Sequence, residues 1–102
     1  MIEIPVGNQE FRVFHFQRPD GRGQITDGET IQTAAVTAAN ARTGEAIAGM
    51  VSQAAPYDGT AVRYFVDPTA GGLVKRARVA LLFEVQTSNG QTLTDTLQVV
   101  IV

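Results

Sequence analysis

The chain has 102 residues, the length of one ordinary domain; 44% of them are hydrophobic and 18% are charged. This composition excludes a disordered chain, and the lack of cysteine excludes disulfides and thiolate metal sites. The net charge of −2 argues against a dedicated nucleic-acid binder, which carries a concentrated positive face. The apolar runs are too short to span a bilayer, and the first residues do not resemble a signal peptide. We expect one domain over residues 1–102, with neither nucleic acid nor membrane as a partner.

Short segments rich in β-forming residues alternate with clusters of Gly, Pro, Asn and Asp along the chain. Residues 11–17 and 60–67 are predicted strands, and residues 46–53 form a weaker candidate. In the first strand, Phe14 and Phe16 lie on one face, and Val13 and His15 on the other. Short strands at regular spacing are typical of an all-β sandwich or barrel.

Residues 29–42 are compatible with two structures. Their alanines would form a small-residue stripe on a helix, and alanine favours helix. Their threonines, Ile31 and Val36 lose rotamer freedom in a helix and fit a pleated strand. We predict a strand over residues 30–38, with a short helix as the alternative.

The last third of the chain has the clearest pattern. One face of residues 79–85 carries Val79, Leu81, Phe83 and Val85, and one face of residues 93–101 carries Leu93, Leu97, Val99 and Ile101. Between these segments lies the turn sequence Ser88, Asn89, Gly90. Such matched apolar faces predict a long hairpin with one side toward the core.

The apolar faces also constrain the turn of this hairpin. A two-residue turn would place Leu81 opposite Gln98, so that apolar residues would face polar ones. A three-residue loop instead places Leu81 opposite Leu97, because a slip of one residue inverts the faces of a strand. Gly90 then supplies the left-handed residue of a type I turn with a G1 bulge, although longer odd loops would keep the same faces.

Residues that could carry chemistry are few. His15 is the only histidine, and no nucleophile or orienting partner accompanies it in a recognisable motif, so it is interpreted as a strand residue. Residues 20–29 contain three carboxylates, which faintly suggests a calcium loop. Arg22 and Gln24 occupy positions where oxygen ligands should alternate, so this segment is interpreted as a turn-rich loop.

Two further clusters have a structural and a functional interpretation. Residues 71–75 lack the spacing of a phosphate-binding loop and are predicted to form a turn between strands. Lys75, Arg76 and Arg78 form the only basic cluster, which is either a phosphate-binding patch or a solvated strand face shared with Glu84 and Gln86. Three of the aromatic residues, Tyr57, Tyr64 and Phe65, are likewise either a contact patch or part of the core.

The second half of the chain shows a pattern of short motifs. A strand at residues 62–66 leads to Gly71 and Gly72. A second strand at 79–87 runs into Ser88-Asn89-Gly90, and residues 97–102 form a last strand that contains Val99, Val100 and Val102. Residues 61–102 thereby resemble the C-terminal half of small immunoglobulin-like structural proteins of tailed bacteriophages and prophages. Residues 27–31 are similar to the Gly-Glu/Asp-Thr-Ile element of that group, while Gln91 replaces its usual arginine and its common tryptophan is missing.

The strand pattern and this resemblance together predict an immunoglobulin-like β-sandwich of about seven antiparallel strands. The resemblance implies a virion component, such as a tail, tail–fibre adaptor or head accessory protein, that is present in the host cytoplasm during assembly. Phage tail or head proteins and further copies of the chain are the expected partners. We expect no enzymatic activity, no cofactor, no metal and no catalytic residues. The alternative is an immunoglobulin-like binding module of a surface protein that recognises a carbohydrate or receptor.

The expected contact regions are the loops at one end of the sandwich or an unpaired edge strand. Loops at residues 18–28, 40–44 and 67–72 are polar, and loops on a rigid scaffold commonly carry recognition. An exposed edge strand can pair with a neighbouring chain.

Overall fold

The computed structural model describes residues 2–16, 25 and 28–102, and every regular element in this part of the chain is a β-strand. The strands are β1 (Ile2–Ile4), β2 (Glu10–His15), β3 (Ile31–Asn40), β4 (Ala46–Ile47), β5 (Val51–Tyr57), β6 (Ala61–Val66), β7 (Arg78–Thr87) and β8 (Thr92–Ile101). They form a five-stranded sheet in the order β1-β8-β7-β3-β4 and a three-stranded sheet in the order β2-β6-β5. The fold is all-β, and its two sheets are compatible with a β-sandwich. No helix in the described part is long and apolar enough to cross a membrane.

Three details of the predicted architecture differ from the structure. The described residues contain eight strands where about seven were predicted, and β1 pairs parallel to β8 instead of antiparallel. The predicted strand at residues 46–53 is divided between the sheets. β4 belongs to the five-stranded sheet and β5 to the other, with Gly49 at a φ of 87° and Met50 fully buried between them. A crossing between sheets needs a sharp change of direction, which a glycine in the left-handed region provides.

The ambiguous segment at residues 29–42 forms a strand. β3 pairs antiparallel with β7 from Ile31 to Asn40, with one irregularity between Ile31 and Thr33. Alternate residues, among them Ala34, Val36 and Ala38, belong to or pack against the core. Pairing with a central strand therefore outweighs the helix propensity of the alanines.

The β7–β8 hairpin has the predicted register. Leu81 lies opposite Leu97, and Val79 lies opposite Val99. The Thr87 amide donates to the Gln91 carbonyl at 2.9 Å, and the Gly90 amide donates to the Thr87 carbonyl at 3.0 Å. Gly90 has a φ of 81°, as the three-residue loop requires.

The core lies between the two sheets and is centred on aromatic residues. Phe14 of β2 stacks on Phe83 of β7 with ring centroids 4.3 Å apart and an interplanar angle of 5°. Tyr64 of β6 meets the same Phe83 ring edge-on at 5.0 Å. Phe83 has no exposed surface, so it joins residues from both sheets into one core.

Candidate interaction surfaces

The outward side of the three-stranded sheet carries a group of apolar and aromatic residues. Alternation along β2 turns Phe14 toward the core and leaves Phe11 and Val13 on the opposite side. Phe11 lies opposite Phe65, and Val13 lies opposite Arg63. Tyr57 reaches the same side from β5, where it lies opposite Ala61. We refer to Phe11, Val13, Tyr57, Arg63 and Phe65 as the aromatic face.

Phe11 contacts two other members of the aromatic face. The Phe11 and Phe65 rings meet edge-on with centroids 5.1 Å apart. The guanidinium carbon of Arg63 lies 3.9 Å from the Phe11 ring centroid, which is a cation–π arrangement. These contacts favour one arrangement of Arg63 and Phe11, and Phe11 keeps 45% of its surface exposed, Tyr57 43% and Val13 40%.

The outward side of the five-stranded sheet is more polar. Leu82 of β7, 44% exposed, is its large exposed apolar side chain. Its neighbours across the two ladders are Thr37 and Thr96. A single exposed leucine among threonines is ordinary for a protein surface, whereas a contiguous aromatic group is a candidate interaction site.

The structure divides the three aromatic residues that the sequence grouped as a contact patch. Tyr57 and Phe65 lie on the aromatic face, but Tyr64 points the other way and is only 2% exposed. Burial raises the pKa of the Tyr64 hydroxyl. Phe11 and Val13, which the sequence did not single out for contact, take its place because β2 pairs with β6.

The Glu10 and Arg12 side chains form an ion pair on β2. Arg12 Nη2 lies 2.6 Å from Glu10 Oε1, and Arg12 Nε donates to the same oxygen at 2.7 Å. Hydrogen bonds from Arg12 and then from Asn8 hold the pKa of the Glu10 carboxyl below its ordinary value. Both residues alternate with Phe11 and Val13, so the ion pair lies on the other side of β2 from the aromatic face.

His15 is exposed at the end of β2, opposite Ala61. Its place on a strand agrees with the interpretation from the sequence. Within the described ranges, no group of three or more His, Asp or Glu side chains is arranged to hold a metal ion.

The carboxylate-rich segment at residues 20–29 lies mostly outside the described residues, but Glu29 is described. Its side chain is buried, with 3% exposure, and accepts a hydrogen bond of 2.8 Å from the Thr87 hydroxyl. The side-chain amide of Gln91 lies next to this carboxylate. When its nitrogen faces Glu29, it donates to both carboxylate oxygens at 3.3 Å. Glu29 thus connects the start of β3 to the β7–β8 turn.

A second candidate surface is a basic cleft where β3 ends and β7 begins. Its polar half, of about 490 Å³, is lined by Asn40, Arg42, Arg76, Ala77 and Arg78. An adjoining apolar half, of about 450 Å³, shares Arg76 and Arg78 and adds Lys75, Val100, Ile101 and Val102. Together these residues are the basic cleft.

The basic cleft differs from the predicted basic cluster in two respects. Arg78 lies on the same side of β7 as Glu84 and Gln86, as expected, but Arg76 precedes β7 and has a φ of 75°. Arg42 was not predicted to join the cluster, because it lies far away in the sequence. The antiparallel pairing of Asn40 with Val79 brings it there.

One of the three loops expected to carry recognition, at residues 40–44, contributes Asn40 and Arg42 to this cleft. Residues 40–44 form a turn in which Asn40 Oδ1 accepts from the amides of Arg42 at 2.9 Å and Thr43 at 3.2 Å. Residues 67–72 form the predicted turn after β6, where the Gly71 amide donates to the Asp67 carbonyl at 3.3 Å. The loop at residues 18–28 lies mostly outside the described residues.

Comparison with known proteins gives no match to this chain, either among protein-family models, among curated proteins or among solved structures.

Proposed function

We propose that this chain is an immunoglobulin-like structural protein of a tailed-bacteriophage particle and that it acts by protein–protein contact. The aromatic face is the observation that carries the contact role. The phage setting comes from the resemblance of residues 61–102 to that group of proteins. The all-β fold and the three-residue loop of the β7–β8 hairpin are compatible with the resemblance.

The composition of the aromatic face favours a protein as its occupant. Aromatic residues and arginine supply most of the binding energy at protein interfaces, particularly at the centre of the contact. Phe11 and Arg63 already contact each other, which reduces the side-chain freedom that binding would remove. A neighbouring subunit of the particle would cover Phe11, Val13 and Tyr57, the members with large exposed apolar side chains.

The edge strand β2 adds a second element to the same surface. β2 is the first strand of the three-stranded sheet, with β6 as its neighbour, and it carries Phe11 and Val13. A strand at the edge of a sheet offers backbone groups to a neighbouring chain. The proposed partners are head or tail proteins of the particle, including further copies of this chain, and the proposed locations are the virion and the host cytoplasm during assembly.

The test compares two surface variants in binding and self-association. Phe11→Ser combined with Val13→Ser removes the apolar part of the aromatic face. Leu82→Ser is the matched control, because Leu82 is 44% exposed and Phe11 45%. The tagged proteins are mixed with disrupted virions or extracts of an induced lysogen, bound proteins are identified by mass spectrometry, and self-association is measured by size exclusion with light scattering.

We expect the native chain and the Leu82 variant to capture identified head or tail proteins or to self-associate. In the double variant, the amount of captured protein or the self-association should fall at least tenfold. Thermal unfolding of all three establishes that they are folded. A native chain that stays monomeric and captures no particle protein overturns the proposal. Glycan binding by that chain, measured on a glycan array, would instead support the surface-module alternative.

A further inference from the structure

The positive charge of the chain is concentrated in the basic cleft. The sequence has eight lysines and arginines against ten aspartates and glutamates. Four of these eight cations line the cleft, namely Arg42, Lys75, Arg76 and Arg78. A chain with net negative charge thus presents a positive region at one end, and such a region attracts anionic groups.

The two described arginines outside the cleft each have a partner, whereas the four cleft cations line one continuous depression. Arg12 pairs with Glu10, and Arg63 lies over the Phe11 ring. Within residues 2–16, 25 and 28–102, the Arg12–Glu10 contact is the sole ion pair. Glu3 of β1 and Arg78 of β7 both lie on the outward side of the five-stranded sheet. β8 runs between them, with Val100 opposite both, so their Cα atoms are about 10 Å apart. The cleft therefore collects like charges whose repulsion an anion would relieve.

The backbone that carries these cations is anchored to the five-stranded sheet. The Arg76 amide donates to the Ile101 carbonyl at 2.6 Å, and the Ile101 amide donates to the Ala77 carbonyl at 2.9 Å. The Ala41 amide donates to the Arg78 carbonyl at 3.1 Å, which connects the turn carrying Arg42 to β7. The cations are therefore presented from positions fixed by the sheet.

Arg76 occupies a backbone conformation that its side chain disfavours. Its φ of 75° lies in the left-handed region, where glycine carries no penalty and other residues do. Strained residues of this kind concentrate at functional sites, where the surrounding structure holds them. Arg76 lines both halves of the cleft.

We infer that the basic cleft binds an acidic segment of a partner protein, in which carboxylates alternate with an aliphatic side chain. Guanidinium groups match carboxylates through two parallel hydrogen bonds, so Arg42, Arg76 and Arg78 suit side-chain carboxylates. The apolar half, with Val100, Ile101 and Val102, suits an aliphatic side chain next to them. A bare phosphate would use only the polar half. This site does not depend on the role proposed for the aromatic face.

The experiment measures fluorescence anisotropy of a labelled hexapeptide of alternating leucine and glutamate as the full chain is added. A peptide with glutamine in place of glutamate tests the charge, and one with serine in place of leucine tests the apolar half. Unlabelled inorganic phosphate and a short oligonucleotide serve as competitors. We expect the leucine–glutamate peptide to bind at least tenfold more tightly than either altered peptide, with affinity falling as salt rises.

Three variants locate the binding on the protein. Arg78→Gln and Arg76→Gly are each expected to weaken peptide binding at least tenfold, and Arg12→Gln, which removes a cation outside both candidate surfaces, to leave it unchanged. Arg76→Gly should have a thermal midpoint no lower than the native chain, because glycine tolerates the φ of 75°. Loss of binding in this variant would therefore not reflect unfolding.

Several outcomes would overturn the inference. These are equal affinity for the glutamate and glutamine peptides, equal affinity for the leucine and serine peptides, and binding that survives both cleft variants. Two competition results would assign the cleft to a phosphate-bearing ligand instead. One is displacement of the labelled peptide by millimolar phosphate, and the other is displacement by the oligonucleotide at a lower concentration than unlabelled peptide requires.

Discussion

The Thr87 hydroxyl donates a hydrogen bond of 2.8 Å to the buried carboxylate of Glu29, across 58 residues of sequence. The same hydroxyl oxygen accepts from the Gln91 amide at 3.2 Å. Next to this pair, the Thr30 and Ser88 segments exchange two bonds, from the Ser88 amide to the Thr30 carbonyl at 2.8 Å and from the Thr30 amide to the Ser88 Oγ at 3.0 Å. One threonine thus connects the start of β3 to the tip of the β7–β8 hairpin.

Replacing Thr87 by valine keeps the shape of the side chain but removes this hydroxyl. We expect Thr87→Val to lower the free energy of unfolding by about 1–3 kcal/mol, because the buried Glu29 carboxylate loses a donor. Chemical denaturation measures the change. Thr96→Val is the control, since Thr96 is exposed on the outward side of the same sheet. Equal stability of the two variants would contradict the role of the Thr87 hydroxyl.

Gly90 provides a test of turn geometry alone. A Cβ atom at this position would meet nothing within 4 Å, so only its φ of 81° penalises a side chain. We expect Gly90→Ala to destabilise the protein by about 1 kcal/mol or more. Gly7→Ala, also in open space but outside the left-handed region, should change stability by less than about 0.5 kcal/mol. Thermal or urea unfolding of both variants decides, and a neutral Gly90→Ala would exclude the strained turn.

The end of β8 is part of the core. Ile101 has no exposed surface and pairs with Ile4. Ile101→Ala should therefore lower the free energy of unfolding by about 2–5 kcal/mol. Val74→Ala is the control, because Val74 is 69% exposed and its truncation should cost less than about 0.5 kcal/mol. Deleting residues 99–102 should reduce the thermal midpoint further, since it also removes Val99 and the ladder to β1. An unchanged midpoint in the deletion would show that β8 ends earlier.

The Glu10–Arg12 pair predicts a pH effect with a definite sign. The pKa of Glu10 is lower in the folded chain than in the unfolded chain, mainly through the hydrogen bond from Arg12. Its contribution to stability is therefore present above the unfolded pKa and is lost as the pH falls through the folded pKa. Arg12→Gln should raise the Glu10 pKa toward its ordinary value, whereas Arg63→Gln should leave it unchanged. Carboxyl ¹³C NMR titration measures both, and an unshifted pKa in Arg12→Gln would refute the assignment.

The hairpin could be predicted in full from the sequence. The apolar residues of β7 and β8 lie on the same side of the hairpin only when the loop has an odd number of residues. Gly90 fits the three-residue turn that this register requires. The strand at β3 was favoured by its β-branched residues, although the alanines left a helix open. These are local properties, which the residues of one segment and its neighbour decide.

The two candidate surfaces depend on non-local pairing, which the sequence pattern does not determine. Alternation in β2 separates Phe14 from Val13, but both faces are apolar, so it does not show which is covered. The meeting of Arg42 with Arg76 and Arg78 depends on β3 and β7 being neighbours. The left-handed conformation of Arg76 has no sequence signal, because arginine is not a residue that favours it.

The parallel pairing of β1 with β8 determines how the chain would respond to a mechanical load. Ile2 lies opposite Val99 and Ile4 opposite Ile101, so tension on the two ends would pull these strands in opposite directions along their common axis. The bonds between them, including that from the Val102 amide to the Ile4 carbonyl at 3.0 Å, would be sheared together instead of peeled apart one at a time. Forced unfolding is governed by the unfolding rate, which would be slow if these bonds must break together. The three-residue strand β1 would therefore act as a mechanical clamp.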